Sequence, residues 1–290
     1  MQRSTWYEKY SWHAEDYFND PQVIALCHAI EANDLPEMRR LIATGADVKA
    51  LGKDNMTPLL WAFPDNKLER FRLLMEHGAD PNVFIQSKFG VEGGFAIGDS
   101  VTHLACKTHF PYFDAVFEFG GNANLPNGVE QNLGEGPIFT IIRSGLGTPE
   151  TIRRIDVLLR KNANINQMVN ATPLMDAITF GGQYEVAIHL IKSGADVSQY
   201  GSTERTKPTH MLVQAEHGLL KVAGIEQKAA YQQLVKMVEE RGESLQEARD
   251  DWARWASWRG SSLEAKAHKW KQEVEARKRR EAAEQAAPLK

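Results

Sequence analysis

The sequence has little cysteine and no long apolar run. Its 290 residues include two cysteines, Cys27 and Cys106, which are too few for a disulfide framework or for a cysteine-based zinc site. Both fall inside apolar helical patterns, so we expect them to be small buried side chains. No stretch of about twenty apolar residues is present, so we expect no membrane-spanning helix.

The first residues also lack the apolar stretch of a secretory signal peptide. They read MQRSTWYEKYSWHAEDYF, which is aromatic and charged. We therefore expect a cytoplasmic protein. A periplasmic or secreted protein from which a signal peptide had been removed would begin in the same way, so this alternative stays open.

A large excess of charge of one sign is missing as well. The chain carries 34 Lys and Arg against 38 Asp and Glu, which gives a formal net charge of −4 at pH 7. Such a molecule has no general attraction to nucleic acid, and no nucleic-acid partner is expected. The charge is uneven, because residues 262–290 carry a small net positive charge and the remainder is acidic.

Catalytic motifs are absent from the sequence. It contains no Gly-rich phosphate loop, no G-x-S-x-G and no H-E-x-x-H. The nine histidines are scattered, and no metal or cofactor is expected. Cys106 lies near His103 and His109, but no third group that would orient such a nucleophile and base can be named. We therefore predict that the protein is not an enzyme.

What the sequence does contain is an internal repeat. The string Gly45-Ala46-Asp47-Val48 returns as Gly78-Ala79-Asp80-Pro81 and as Gly194-Ala195-Asp196-Val197, and degraded copies begin at Gly120 and Asn162. Glycine at the end of a helix suits a left-handed C-terminal cap. The strings therefore mark turns that follow successive helices.

A second motif recurs at a fixed phase between these turns. Thr57-Pro58-Leu59-Leu60 and Thr172-Pro173-Leu174-Met175 each open an apolar helical pattern. Threonine can cap the free amides of a helix, and proline in the first turn costs no hydrogen bond. The residues that occupy the proline position in the six units are Ala25, Pro58, Val101, Pro137, Pro173 and Pro208.

Together these motifs resemble the ankyrin repeat, whose 33-residue unit carries a T-P-L-H-x-A helix start and a G-A-D-V-N turn. The resemblance covers residues 21–242 and implies an all-α solenoid of about six irregular helix-turn-helix repeats with β-turn fingers. Residues 83–98 and 125–136 lengthen two of the fingers. His103 and His210 occupy the histidine of the helix motif, where the resemblance implies a structural hydrogen bond to the turn.

The flanking segments are predicted to be helical additions. Residues 1–20 form an aromatic capping segment, and residues 243–290 form a helical cap with a Trp stripe followed by a charged helix. Such a stripe is typical of a core that hides the apolar end of a repeat array. The basic run Arg277–Arg280 could contact an acidic partner or could lie on a solvated helix end.

The resemblance also implies a concave binding face built from the fingers and the first helix of each repeat. The variable position of the helix motif is expected to point into that groove. The residues matched to it are His28, Trp61, Leu104, Thr140, Asp176 and Met211. The fingers add Asp54, Asn55, Phe89 and Asp99 as candidates for partner binding.

Trp61 is the leading candidate, because a large aromatic side chain is unusual on a face meant only for water. Trp61→Ala is expected to weaken partner binding with little change in Tm. The alternative is that an extended finger folds back and buries the ring.

The sequence thus predicts a non-enzymatic protein-binding module or scaffold, monomeric on its own, that binds a protein partner through the concave face and the fingers. Two alternatives remain. One is a dedicated inhibitor or immunity protein that neutralises one toxin or enzyme. The other is an enzyme or sensor whose function resides in the C-terminal helical region.

Overall fold

The structure is a computed structural model that describes residues 5–91 and 94–286. Over these two ranges the regular secondary structure is helical, without strands. The chain divides into two compact units, Met1–Asn164 and Ile165–Lys290. None of the helices in the described ranges is both long and apolar enough to cross a membrane. The division of the sequence into residues 1–20, 21–242 and 243–290 stays a prediction.

The first unit is built from four helix pairs preceded by a short helix. Its helices are α1 (Trp6–Tyr10), α2 (Pro21–Glu31), α3 (Leu35–Ala43), α4 (Pro58–Trp61), α5 (Leu68–Glu76), α6 (Val101–Lys107), α7 (Phe113–Glu118), α8 (Pro137–Ile142) and α9 (Thr148–Arg160). The second helices of the pairs pack in the order α3, α5, α7, α9, and among the first helices α2 packs on α4 and α6 on α8. Each pair therefore buries its apolar face against the next.

The second unit contains two helix pairs and two further helices. These are α10 (Pro173–Thr179), α11 (Tyr184–Lys192), α12 (Pro208–His217), α13 (Ile225–Glu239), α14 (Leu245–Ser257) and α15 (Leu263–Ala286). Helix α12 packs against both α10 and α14. Helix α14 thus covers the side of α12 that a further repeat would otherwise cover.

The first helices begin where the Thr-Pro motif predicts. The Thr57 side chain accepts a hydrogen bond from the Leu60 amide at 3.0 Å, and Thr172 caps α10 in the same way. In the third repeat Ser100 replaces threonine and accepts from the His103 amide at 3.3 Å. A hydroxyl cap therefore survives the loss of the consensus residue.

Asparagine side chains tie successive turns of the first unit together. Asn82 accepts a hydrogen bond from the Asn122 amide at 2.9 Å and donates one to the Gly120 carbonyl at 3.0 Å. Asn124 accepts in the same way from the Asn164 amide at 2.7 Å. These bonds satisfy turn amides and carbonyls that the helices leave free, which explains why asparagine recurs in the motif.

Two buried arginines, which the repeat motifs do not mark, occupy the same position in the second and fourth repeats. Arg70 is 1% exposed and donates to the Ile30 carbonyl at 2.8 Å. Arg154 is 4% exposed and donates to the Ala105 and Cys106 carbonyls at 3.0 and 3.1 Å. Each cation thus lies at the carbonyl end of a first helix, where the helix dipole favours positive charge.

Candidate protein-binding surface

The N-terminal segment (residues 5–20) covers the first helices of the first two repeats. The Tyr7 hydroxyl donates to the Trp61 carbonyl at 2.8 Å, and the Trp12 indole donates to the Phe89 carbonyl at 2.8 Å. The Tyr7 and Trp12 rings lie 5.5 and 5.3 Å from the Trp61 ring, measured between centroids. The segment therefore fills the place where the sequence predicted an open binding face.

The prediction that Trp61 lies on an exposed ridge is wrong, because its side chain is 0% exposed. The rings of Tyr17 and Phe18 approach it as well, at 5.8 and 6.4 Å. A cluster of this kind removes a large apolar area from water, which favours burial over exposure. It is mainly the N-terminal segment that encloses the ring, so the alternative of a folded-back finger is only partly right.

Leu104 and Phe89 are also buried, at 1% and 5% exposure, contrary to expectation. Leu104 lies on α6, which packs between α7 and α8 and has side chains from Val101 to Cys106 all buried. Phe89 packs edge-on against Trp12 and Tyr17 at 6.2 and 5.7 Å. Because both side chains are buried, neither offers a surface for the predicted contact with a partner.

Two of the three acidic candidates, Asp99 and Asp176, are buried as well. Asp99 is 2% exposed and accepts hydrogen bonds from the Ala96 amide at 3.0 Å and the Lys107 ammonium at 2.7 Å. It therefore holds a turn together. Asp176 is 6% exposed on α10, a short helix that packs against both α11 and α12.

The remaining predicted residues keep some exposure. His28 is exposed, but its ring is hydrogen-bonded to Glu15 of the N-terminal segment at 2.9 Å. Asn55 is half-buried and donates to the Phe84 carbonyl at 2.8 Å. The others are half-buried, namely Asp54, Thr140 and Met211. Whether these five residues touch a partner stays a prediction.

The loops between the repeats of the first unit form three linked fingers. We define finger 1 as residues 47–56, finger 2 as residues 80–99 and finger 3 as residues 122–135. The Gln86 amide of finger 2 donates to the Asp54 carbonyl of finger 1 at 2.9 Å, and the Gly128 amide of finger 3 donates to the Gly98 carbonyl of finger 2 at 3.1 Å. The fingers are thus joined edge to edge by backbone hydrogen bonds.

Gly98→Ala is expected to break the junction between fingers 2 and 3. Gly98 has a φ of +90°, and an added Cβ would lie 2.1 Å from the carbonyl carbon of Gly128. The atoms that the Cβ would meet belong to the backbone and cannot turn aside as a flexible side chain can. We therefore expect a loss of about 2 kcal/mol in the free energy of unfolding, measured by urea denaturation.

Gly120→Ala is the matched control for this variant. Gly120 has a φ of +117°, but an added Cβ would meet nothing within 4 Å. The control therefore carries the left-handed strain without the collision and should cost about 1 kcal/mol. Equal losses in the free energy of unfolding for the two variants would show that the close approach of fingers 2 and 3 at Gly98 does not affect stability.

Each finger presents one exposed apolar side chain. Leu51, Ile97 and Leu133 are 62%, 59% and 65% exposed. In the sequence each of them directly precedes a glycine, at positions 52, 98 and 134. The same apolar-Gly pair also occurs at Phe89-Gly90 of finger 2, where the phenylalanine is buried, so the pair alone does not mark an exposed residue.

The candidate nucleophile is not reactive in this environment. Cys106 is completely buried, and burial raises the pKa of its thiol well above the usual value. The His103 ring is held by the Ser100 hydroxyl at 2.9 Å and the Leu125 carbonyl at 3.2 Å. Within residues 5–91 and 94–286, no three or more His, Cys, Asp or Glu side chains are grouped to hold a metal ion.

The two motif histidines make different hydrogen bonds. His103 bonds to the Leu125 carbonyl of finger 3, as the resemblance implied. His210 instead bonds to the Asp251 carboxylate of α14 at 3.0 Å, and its ring stacks on Trp255 at 5.2 Å. The final repeat thus uses this histidine to hold the next helix, where no further finger follows.

Solved structures with this arrangement of helices are known. The ankyrin repeat domain of Bcl-3, described as a unique member of the IkappaB protein family, is similar with a TM-score of 0.55 and 20% identity over 76% of this chain and 86% of that chain. The human ASB11 ankyrin repeat domain gives a TM-score of 0.49 and 21% identity over 78% of this chain and 86% of that chain.

No family model matches the sequence, and no curated protein matches it. At 20% identity the likeness to the Bcl-3 domain shows the fold alone. The helix pairs, hydroxyl caps and finger loops described above agree with that likeness. The protein therefore has the ankyrin-repeat fold, which confirms the all-α repeat architecture predicted from its recurring turns and helix starts.

Proposed function

We propose that this protein is a non-enzymatic binding module that recognises a protein partner through its fingers. The observation that carries the proposal is the set of exposed apolar side chains Leu51, Ile97 and Leu133, one on each finger. Single exposed apolar residues are common on protein surfaces. Three of them, one on each of three fingers that are hydrogen-bonded together, are typical of a contact surface.

The N-terminal segment supports this choice over the originally predicted groove. It already packs on Trp61 and Phe89, so these residues would be accessible only if the segment moved away. The fingers need no such rearrangement, and a partner that binds a surface already in place loses less conformational entropy on binding.

The triple variant Leu51→Glu, Ile97→Glu and Leu133→Glu is expected to lose the partner. Each change places a charge where an apolar contact would be desolvated, which is unfavourable for binding. The immobilised full chain should retain one or more proteins from a lysate of the source cells, and the finger variant should retain at least about tenfold less, a loss of roughly 1.4 kcal/mol. Quantitative mass spectrometry of the eluates measures this ratio.

A second triple variant supplies the control. Phe180, Val222 and Ile225 are 49%, 87% and 89% exposed and lie outside the fingers. Their replacement by glutamate adds the same charge to the same chain. Capture by this control should equal that of the unmodified protein. Retention of the partner by the finger variant would contradict the proposal.

The number of captured proteins separates two forms of the function. One stoichiometric partner would favour a dedicated inhibitor or immunity protein, whereas many weak partners would favour a scaffold. Size-exclusion chromatography of the chain alone and of the complex would test the predicted monomeric state at the same time.

A further inference from the structure

An open cavity in the second unit has walls made mainly of tryptophan. It has a volume of about 730 Å³ and lies between α14, α15 and the loop before α12. Four half-buried tryptophans line it, and we call it the tryptophan groove. They are Trp252, Trp255, Trp258 and Trp270.

The walls of the groove are fixed by contacts among the tryptophans themselves. Trp270 meets Trp255 edge-to-face at 4.7 Å and Trp258 at 6.1 Å. The Trp252 indole donates to the His210 carbonyl at 3.2 Å, which ties the groove to α12. The cavity is therefore a built feature of the packed helices, and its binding surface is largely preformed.

The apolar lining continues to the edge of the groove. Leu263, the first residue of α15, lines it and is 86% exposed. Val274 and Ala267 of the same helix add to the lining. An apolar surface of this size left open to water is typical of an interaction site.

The charged residues that line the groove are all cations. They are Arg205, Arg259, Lys266 and Lys271, and no Asp or Glu of the described chain lines the groove with them. Neither Arg259, Lys266 nor Lys271 has an ion-pair partner within 4.0 Å among residues 5–91 and 94–286. The groove thus combines an apolar floor with positive charge that its own surroundings leave uncompensated.

The neighbouring acids are engaged elsewhere. Asp251 and Glu273 both pair with Arg254, the latter at 2.6 Å, and none of the three lines the groove. Arg254 offsets one of these two negative charges, whereas four cations line the groove itself. Within the groove itself the cations are therefore in excess, which favours an acidic ligand.

We infer that the tryptophan groove binds an acidic segment of a partner protein, with apolar side chains against the indoles and carboxylates against the cations at the rim. Four cations spread along an open groove match a segment with several carboxylates better than a fatty acid with one. This interaction is separate from the proposed contact through the fingers.

The orientation of the rings favours aliphatic side chains over nucleobases. Bases bind aromatic side chains by stacking on an open face. The Trp255 ring is stacked on His210 at an interplanar angle of 10°, and the Arg205 guanidinium lies 4.2 Å from the centre of the Trp270 ring. These contacts occupy faces of two of the four rings, which leaves fewer open faces on which a base could stack.

The test uses a fluorescein-labelled synthetic helical peptide with leucine along one face and glutamate elsewhere. A second peptide has glutamine in place of every glutamate. Fluorescence anisotropy with the full chain should show the glutamate peptide binding at least about tenfold more tightly than the glutamine peptide. Leu263→Asp should weaken the glutamate peptide by about tenfold or more, because it adds an anion and removes an apolar contact.

Ile225→Asp is the matched control, because Ile225 is the first residue of α13, is 89% exposed and lies outside the groove. Both aspartates lie in the first turn of a helix, where negative charge is tolerated, so both variants should keep the original Tm. The control and the finger triple variant should bind the glutamate peptide as the unmodified chain does. This separates the groove from the fingers.

Three results would overturn the inference. The first is equal affinity for the glutamate and glutamine peptides. The second is unchanged binding of the glutamate peptide by Leu263→Asp. The third is that the glutamate peptide does not bind, whereas an oligothymidylate or palmitate does, and that Leu263→Asp abolishes this binding. Such a result would assign the groove to nucleic acid or to a lipid.

Discussion

Trp61→Ala is expected to destabilise the first unit by about 3–5 kcal/mol, the usual cost of removing a fully buried tryptophan. The ring is 0% exposed and lies among Tyr7, Trp12 and Tyr17, at centroid distances of 5.5, 5.3 and 5.8 Å. The shortened side chain leaves a cavity that these rings can fill only in part. Urea denaturation followed by circular dichroism measures the loss.

Deletion of residues 1–20 provides the control for this result. Without the N-terminal segment the Trp61 ring loses its aromatic cover, so the further cost of Trp61→Ala should fall well below its cost in the full chain. An unchanged Tm for Trp61→Ala, together with weakened partner capture, would contradict the structure. Such a result would instead support the exposed position of the Trp61 ring that the sequence predicted.

Acidification is expected to destabilise the first unit through His103. Burial lowers the pKa of this imidazole from 6.5 to about 4, outweighing nearby Asp99, whose negative charge raises the pKa. The unfolded chain therefore binds a proton more readily than the folded one. The contribution of neutral His103 to the free energy of unfolding is present above pH 6.5. It is lost as the pH falls towards 4, by up to about 3 kcal/mol.

The hydrogen bonds of His103 explain why the neutral ring is preferred. The Leu125 carbonyl can only accept, so the Nε2 atom at 3.2 Å donates to it. The Nδ1 atom is then free to accept from the Ser100 hydroxyl at 2.9 Å. A protonated ring would lose this acceptor and would place an imidazolium in a buried site.

His103→Gln is the comparison that isolates this effect. Glutamine carries both a donor and an acceptor but does not titrate. The free energy of unfolding, measured by urea at several pH values, should fall more steeply for the unmodified chain than for the variant between pH 6.5 and about 4.5. Parallel curves would show that another group controls the acid sensitivity.

The repeat architecture could be predicted because its signals are local. The Thr57 and Thr172 caps lie three residues from the amides that they bind, so each motif specifies its own helix start. The turn asparagines act over about one repeat, and their recurrence reports the stacking of equal units. These short-range requirements are visible in a single sequence.

The binding residues could not be predicted in the same way. The ankyrin resemblance assigned Trp61 to an exposed position, since it describes a repeat without an additional segment packed on it. The Tyr7 hydroxyl that covers it is 54 residues away in sequence. The Trp stripe of α14 was expected to be core, yet its half-buried rings line a groove, because the one helix that follows covers them only in part.

The sequence by itself determined the helix starts, the turns and the repeat, because caps and turn residues act within a few positions of one another. The tertiary structure decided which surfaces remain open. The N-terminal segment buries Trp61, the fingers expose Leu51, Ile97 and Leu133, and α15 leaves a cationic groove beside four tryptophans. Exposure depends on which distant segments pack together, and no local pattern encodes that choice.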